Sequence, residues 1–207
     1  MGYRAGYRSY RSLSFGPVGF LIVANLVLFM TTSIWPEFFI PAFGLQPASF
    51  LEKPWTILTN LFVHSPFTIY SPLGSIWHIL ANMLTLYFFG SYLCGLVGNR
   101  NFLIVYFMGG ILGNVVYLLL GPPLSIAIGA SGAVFAVAGA LTVLRPRLPV
   151  FIIPIPVPIP LWIAVIGGFL ILSFASFVAW QAHLGGLVLG LLAGLLLKKR
   201  QRPFYWA

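Results

Sequence analysis

The chain has 207 residues, 60% of them hydrophobic and only 6% charged, with a mean hydropathy of +1.01. A soluble domain carries about 25% charged residues, so the composition excludes one and indicates an integral membrane protein. The net charge of +9 lies in short clusters at the ends of apolar runs, and no basic face for nucleic acid can be assembled from it.

Residues 1–14 read as a basic tail with Arg4, Arg8 and Arg11. The apolar run from Phe15 to Trp35 is long for a signal-peptide core and ends without a small-x-small cleavage site. It is expected to stay as a first helix over 15–34. From Trp35 to Ser75 the chain is rich in Trp, Phe and Pro. This reads as a long external loop lying partly in the membrane interface, where aromatic rings are favoured. A helix needs about 20 apolar residues to cross the hydrocarbon. Five further stretches approach that length, near 76–93, 101–120, 127–144, 161–178 and 181–197.

Gly121-Pro122-Pro123 separates the third and fourth spans, and Arg145-Pro146-Arg147 ends the fourth. Pro154, Pro156, Pro158 and Pro160 alternate with apolar residues, which predicts an extended connector. Between the last two spans only Ser176 to Gln181 suggests a turn. Residues 198–207 form a second basic tail. With six spans, Arg4, Arg8, Arg11, Arg100, Arg145, Arg147, Lys198, Lys199, Arg200 and Arg202 all fall on one side. Lys53, Glu37 and Glu52 fall on the other. The positive-inside rule then puts both termini in the cytoplasm. Cys94 is the lone cysteine, so no disulfide forms within the chain.

Polar residues inside apolar spans need a partner or a wet cavity and are functional candidates. His78 and Asn82 are four apart on one helix face of the second span. Ser131 lies a few residues into the fourth, and His183 is in the first turn of the sixth. All four fall in the outer half of the bilayer. The chain contains no aspartate, so a Ser-His-Asp triad is excluded while a Ser-His pair is available. Serine is a weak nucleophile until a neighbouring base takes its proton, and His183 suits that role. Near a helix start, the Ser131 backbone N–H is unpaired and can hold an oxyanion, with His78 and Asn82 adding donors from the side.

Small residues explain how the helices could approach. Gly186, Gly190 and Gly194 share a face with His183, and Gly132, Ala136 and Gly139 run below Ser131. Such stripes let helix backbones pack closely, and Gly129, Gly132, Gly186 and Gly190 are expected to be helix-packing residues. Asn25 and Asn114 read as interhelical hydrogen-bond residues. His64, His78 and His183 lie on separate elements without metal-ligand spacing, so neither metal nor cofactor is expected.

Together these residues resemble the rhomboid family of intramembrane serine proteases. Gly129-Ala130-Ser131-Gly132 is similar to its GxSG motif. His78 with Asn82 is similar to its HxxxN, and Phe62-Val63-His64 to the segment ahead of it. Ala182-His183-Leu184-Gly185-Gly186, with Gly190, resembles its last-helix motif. The stretch from Tyr106 to Tyr117, with Gly109, Gly110, Gly113 and Asn114, resembles its third helix. The resemblance implies an all-α, six-helix rhomboid bundle over 15–197. It implies Ser131 as nucleophile, His183 as general base and acid, and an oxyanion hole of His78, Asn82 and the Ser131 N–H. The expected partners are transmembrane helices of substrate proteins, and lipid; the expected location is the cell membrane. The alternatives are a rhomboid-like helix binder that does not cut, and a transporter. The sequence departs from the family where Thr56 follows Trp55 in place of arginine, where Cys94 replaces a glutamate, and in a longer stretch between His64 and His78.

Overall fold

The structure, a computed structural model, describes residues 16–66, 72–152, 155–173 and 178–201. Most of both expected basic tails, with Arg4, Arg8, Arg11 and Arg202, lies outside these residues. Helix α1 (Pro17–Ile34) starts with proline in its first turn, where the missing N–H costs no helical bond. The short α2 (Pro36–Phe43) follows. A 3-10 turn at Pro47–Ser49 and the one-turn α3 (Thr56–Thr59) come next. Helix α4 (Pro72–Thr85) runs through a π-helical turn, Leu86–Gly90, into α5 (Ser91–Leu120). Gly98 breaks α5 into two pieces, with φ 82° and ψ 162°. Glycine adopts this region without the penalty other residues meet, so the expected loop before the third span is a single-glycine corner.

Helix α6 (Ser131–Leu144) starts later than the sequence suggests. Ala127, expected inside the span, instead pairs with Leu45 through two backbone hydrogen bonds of 2.8 and 2.9 Å. Gly129 then turns the chain at φ 120°. The proline-rich connector is extended, as its composition requires, and it also pairs with itself. Strands β1 (Pro149–Ile152) and β2 (Ile155–Pro160) form an antiparallel hairpin with Val150 opposite Ile159. Proline is tolerated there because each strand of a two-stranded ribbon is an edge. Helix α7 (Leu161–Ser173) is followed by α8 (Trp180–Gln201). Residues 174–177, most of the expected end of the fifth span, lie outside the described set. α8 continues into the expected basic tail, because lysine and arginine are good helix formers.

Three stretches, 17–34, 74–120 and 180–199, are long and apolar enough to cross a membrane, and α6 and α7 are shorter apolar helices. The main core lies where α1, α4, α5 and α6 meet, around Leu86, Phe102, Tyr106, Ala133 and Val137. A second cluster joins α6, α7 and α8 through Leu141, Leu161, Val165 and Leu187. Helix α7 is less embedded than α6. Its buried residues are Leu161 and Val165, and Leu170 and Ile171 are exposed.

Candidate active site

Ser131 is the first residue of α6. Its N–H is therefore one of the four that no carbonyl of its own helix can reach. His183 lies in the first turn of α8 and is buried. The two side chains meet: His183 Nε2 is 2.7 Å from Ser131 Oγ. With the imidazole neutral and its proton on Nδ1, the serine hydroxyl donates to Nε2. That is the direction proton abstraction needs. Among the described residues His183 Nδ1 is buried without a hydrogen-bond partner, and no carboxylate backs the histidine.

The approach rests on glycine. A Cβ on Gly186 would lie 2.8 Å from the Gly132 carbonyl carbon, with its oxygen closer still. Gly190 meets the Ala136 backbone in the same way, and a Cβ on Gly194 would lie 2.8 Å from Ala140 O. From the other side, Gly139 faces Leu187 O at 2.9 Å. The contacts advance together along both chains, so α6 and α8 run parallel with their N-terminal ends level. Near the other end Lys198 Nζ reaches Val143 O at 3.5 Å. Helix α5 joins through Gly113, whose Cβ would sit 2.5 Å from Ala182 O.

Gly129 differs from its expected role as a helix-packing residue. It precedes α6, and its left-handed φ of 120° is one that only glycine holds without strain. A Cβ there would fall 2.9 Å from His78 Nε2 and 3.8 Å from Ser131 Oγ. The missing side chain thus leaves space between the serine and His78, not room for another helix. Asn82 is buried, and its Nδ2 donates to the His78 carbonyl at 2.8 Å. That occupies one of its two N–H donors. The His78 ring packs on His64 with centroids 5.2 Å apart. Burial, with His78 as a further cause, pushes His64 down to about 3 and keeps it neutral. Among the described residues no three His, Cys, Asp or Glu side chains are grouped to hold a metal.

The rhomboid domain family pattern matches residues 51–200. The chain belongs to the rhomboid family. It is 29% identical over 175 residues to rhomboid protein 1, mitochondrial, of Saccharomyces cerevisiae, covering 78% of this chain and 47% of that protein. It is 30% identical over 156 residues to the putative rhomboid protease YdcA of Bacillus subtilis, covering 72% of this chain and 71% of the relative. With the rhomboid protease GluP of B. subtilis it shares 31% over 160 residues, 75% of this chain and 29% of that protein. The chain thus spans about half the length of the yeast relative.

Other contacts of this rhomboid are not marked in its sequence motifs. Phe135 stacks on His183, with ring centroids 4.6 Å apart and an angle of 32°. Phe135 also meets Phe169 of α7 in a T-shaped contact, with centroids 6.1 Å apart. The signal was available, since Phe135 is one turn beyond Ser131 on the same helix. Asn114 bonds the external loop rather than a neighbouring span, through Asn60 and Ile57 O. Asn25 donates to the carbonyl of Leu21 in its own helix, and its side chain also interacts with the Tyr106 hydroxyl of α5, the interhelical contact expected of it. The Trp55-Thr56 pair is held without an arginine: Trp55 Nε1 donates to Ala42 O at 2.8 Å, and buried Thr56 Oγ1 to Lys53 O at 2.6 Å.

Proposed function

We propose that this rhomboid is an intramembrane serine protease that cuts transmembrane segments of other proteins through a Ser131–His183 dyad. The observation that carries the reading is the 2.7 Å contact between Ser131 Oγ and His183 Nε2. A serine held against a histidine nitrogen at a helix start has what acyl transfer requires: an activated oxygen and unpaired N–H donors. The substrate helix enters from the bilayer beside α4 and α7 and unwinds locally, because a fully hydrogen-bonded helix hides its carbonyls. Ser131 attacks one carbonyl and His183 takes the hydroxyl proton. The oxyanion is met by the Ser131 N–H and by His78 and Asn82. His183 then protonates the leaving amine, and water releases the acyl group by the reverse sequence of proton transfers. Six spans, with both termini on the cytoplasmic side of the cell membrane, bring the site toward the outer face.

The test is labelling of the purified protein with a fluorescent fluorophosphonate, beside Ser131→Ala. Labelling that disappears in the variant is the expected result. An unlabelled, well-folded wild-type protein would favour a rhomboid-like helix binder, and solute flux surviving Ser131→Ala would favour a transporter.

Two neighbours of the dyad carry smaller expectations. Asn82→Ala is expected to lower kcat by about 10²-fold, the usual loss for one oxyanion donor, without abolishing cleavage. An unchanged kcat would remove Asn82 from that role. Phe135→Leu keeps the apolar volume but removes the aromatic face against His183. The labelling rate is expected to fall about tenfold, as for a misaligned base, with the unfolding midpoint little changed. A wild-type labelling rate would show that the stack does not orient the base.

A further inference from the structure

The loop that delivers Ser131 is tied to the external loop. Leu45 and Ala127 exchange two backbone hydrogen bonds, and the Gly129 N–H donates to Asn60 O at 3.0 Å. That last bond fixes the residue whose positive φ opens the space between Ser131 and His78. What fixes Asn60 is a pair of amides. Asn60 Nδ2 donates to Asn114 Oδ1 at 3.0 Å, and Asn114 Nδ2 donates to Asn60 Oδ1 at 2.7 Å. Asn114 Nδ2 also donates to Ile57 O at 2.7 Å, on the one-turn helix just ahead. Both asparagines are buried, 2% exposed each. Asn114 lies on α5 three residues before Tyr117, whose hydroxyl donates to Ser125 O at 3.0 Å. One face of α5 thus holds both the external loop and the loop before α6.

We infer that Asn60 and Asn114 are positioning residues for the oxyanion side of the site. The inference rests on the protease reading for its kinetic consequence. Asn114 is the fixed post, because it stands on a long helix packed on both α6 and α8. Asn60 is the hinge plate, because its side chain meets Asn114 while its carbonyl meets Gly129. A reciprocal amide pair sets both distance and rotation, which a single hydrogen bond does not. This supplies an anchor for the external loop in a chain that has Thr56 and Cys94 where the family has arginine and glutamate.

The two Asn→Leu variants and their combination test it. Each single variant leaves a buried amide unpaired and loses stability. Replacing both partners by apolar groups of similar shape can be close to neutral for stability, so Asn60→Leu/Asn114→Leu is the decisive protein. Its expected behaviour is a folded state with an unfolding midpoint near wild type. Its kcat and fluorophosphonate labelling rate are expected to fall at least about tenfold from misplacement of the donors, with KM unchanged. Deuterium uptake over 126–130 is expected to rise, with uptake in α1 unchanged. Wild-type kcat and wild-type uptake in the folded double variant would overturn the inference. Uptake does not require turnover. A wild-type protein that neither labels nor cuts, but whose 126–130 segment loosens in the double variant, would defeat the protease reading and leave the clamp standing. If the double variant does not fold, Asn60→Ser is measured instead, with the same kcat and uptake criteria.

Discussion

His183→Ala is expected to reduce cleavage and fluorophosphonate labelling by about 10⁴-fold or more, to the level of Ser131→Ala. The size follows from what His183 does not share. Among the described residues its Nε2 alone is hydrogen-bonded to Ser131 Oγ, at 2.7 Å; His78 lies beyond the space left at Gly129, and His64 stacks on His78. No second base among the described residues is hydrogen-bonded to Ser131. Members of a nucleophile–base unit act together, so the double variant should be no worse than either single one. The measurement is single-turnover cleavage of a reconstituted transmembrane substrate. A folded His183→Ala protein within tenfold of wild type would end the dyad assignment.

Gly186→Val is expected to be nearly as damaging, although the residue carries no chemistry. The Cβ position lies inside the Gly132 backbone, so α8 has to move away from α6. Overpacking of this kind costs about 1–3 kcal/mol in stability. The kinetic loss is expected to exceed the stability loss. Gly186 is only three residues from His183, and a displacement of about 1 Å at the reacting atoms is worth about 10²-fold in rate. Gly95→Ala is the control, because a Cβ there meets nothing within 4 Å. Equal activities for the two variants would show that the helix contact does not set the Ser131–His183 distance.

Much of the site could be read from the chain. A serine and a histidine at matched depth, each above a row of small residues, leave few other arrangements, and the parallel contact of α6 and α8 follows from those rows. The extended proline connector was equally legible, since alternating prolines rule out a helix. What escaped notice depended on pairing between distant segments. Gly129 looked like part of a packing stripe because spacing does not report φ. The Leu45–Ala127 pairing shortened α6 from its start, and nothing local at residues 127–130 marks that competition. Asn114 was seen as a polar residue needing a partner, but its partner sits in a loop with no periodicity to place it. The pairing of β1 with β2 is a similar case: composition gives extension but does not name the partner strand.

The contact between α6 and α8 has one more consequence. In lipid there is no hydrophobic gain from bringing two apolar helices together, so association rests on close atomic contact set against lost freedom. Where Gly186 faces Gly132, and Gly190 and Gly194 face the alanine backbone, there are few rotamers to freeze, since glycine and alanine lose no side-chain entropy on burial. The seam therefore gains dispersion at almost no entropic cost. With few rotamers to change, it has little give through which the separation of the two helix ends could drift.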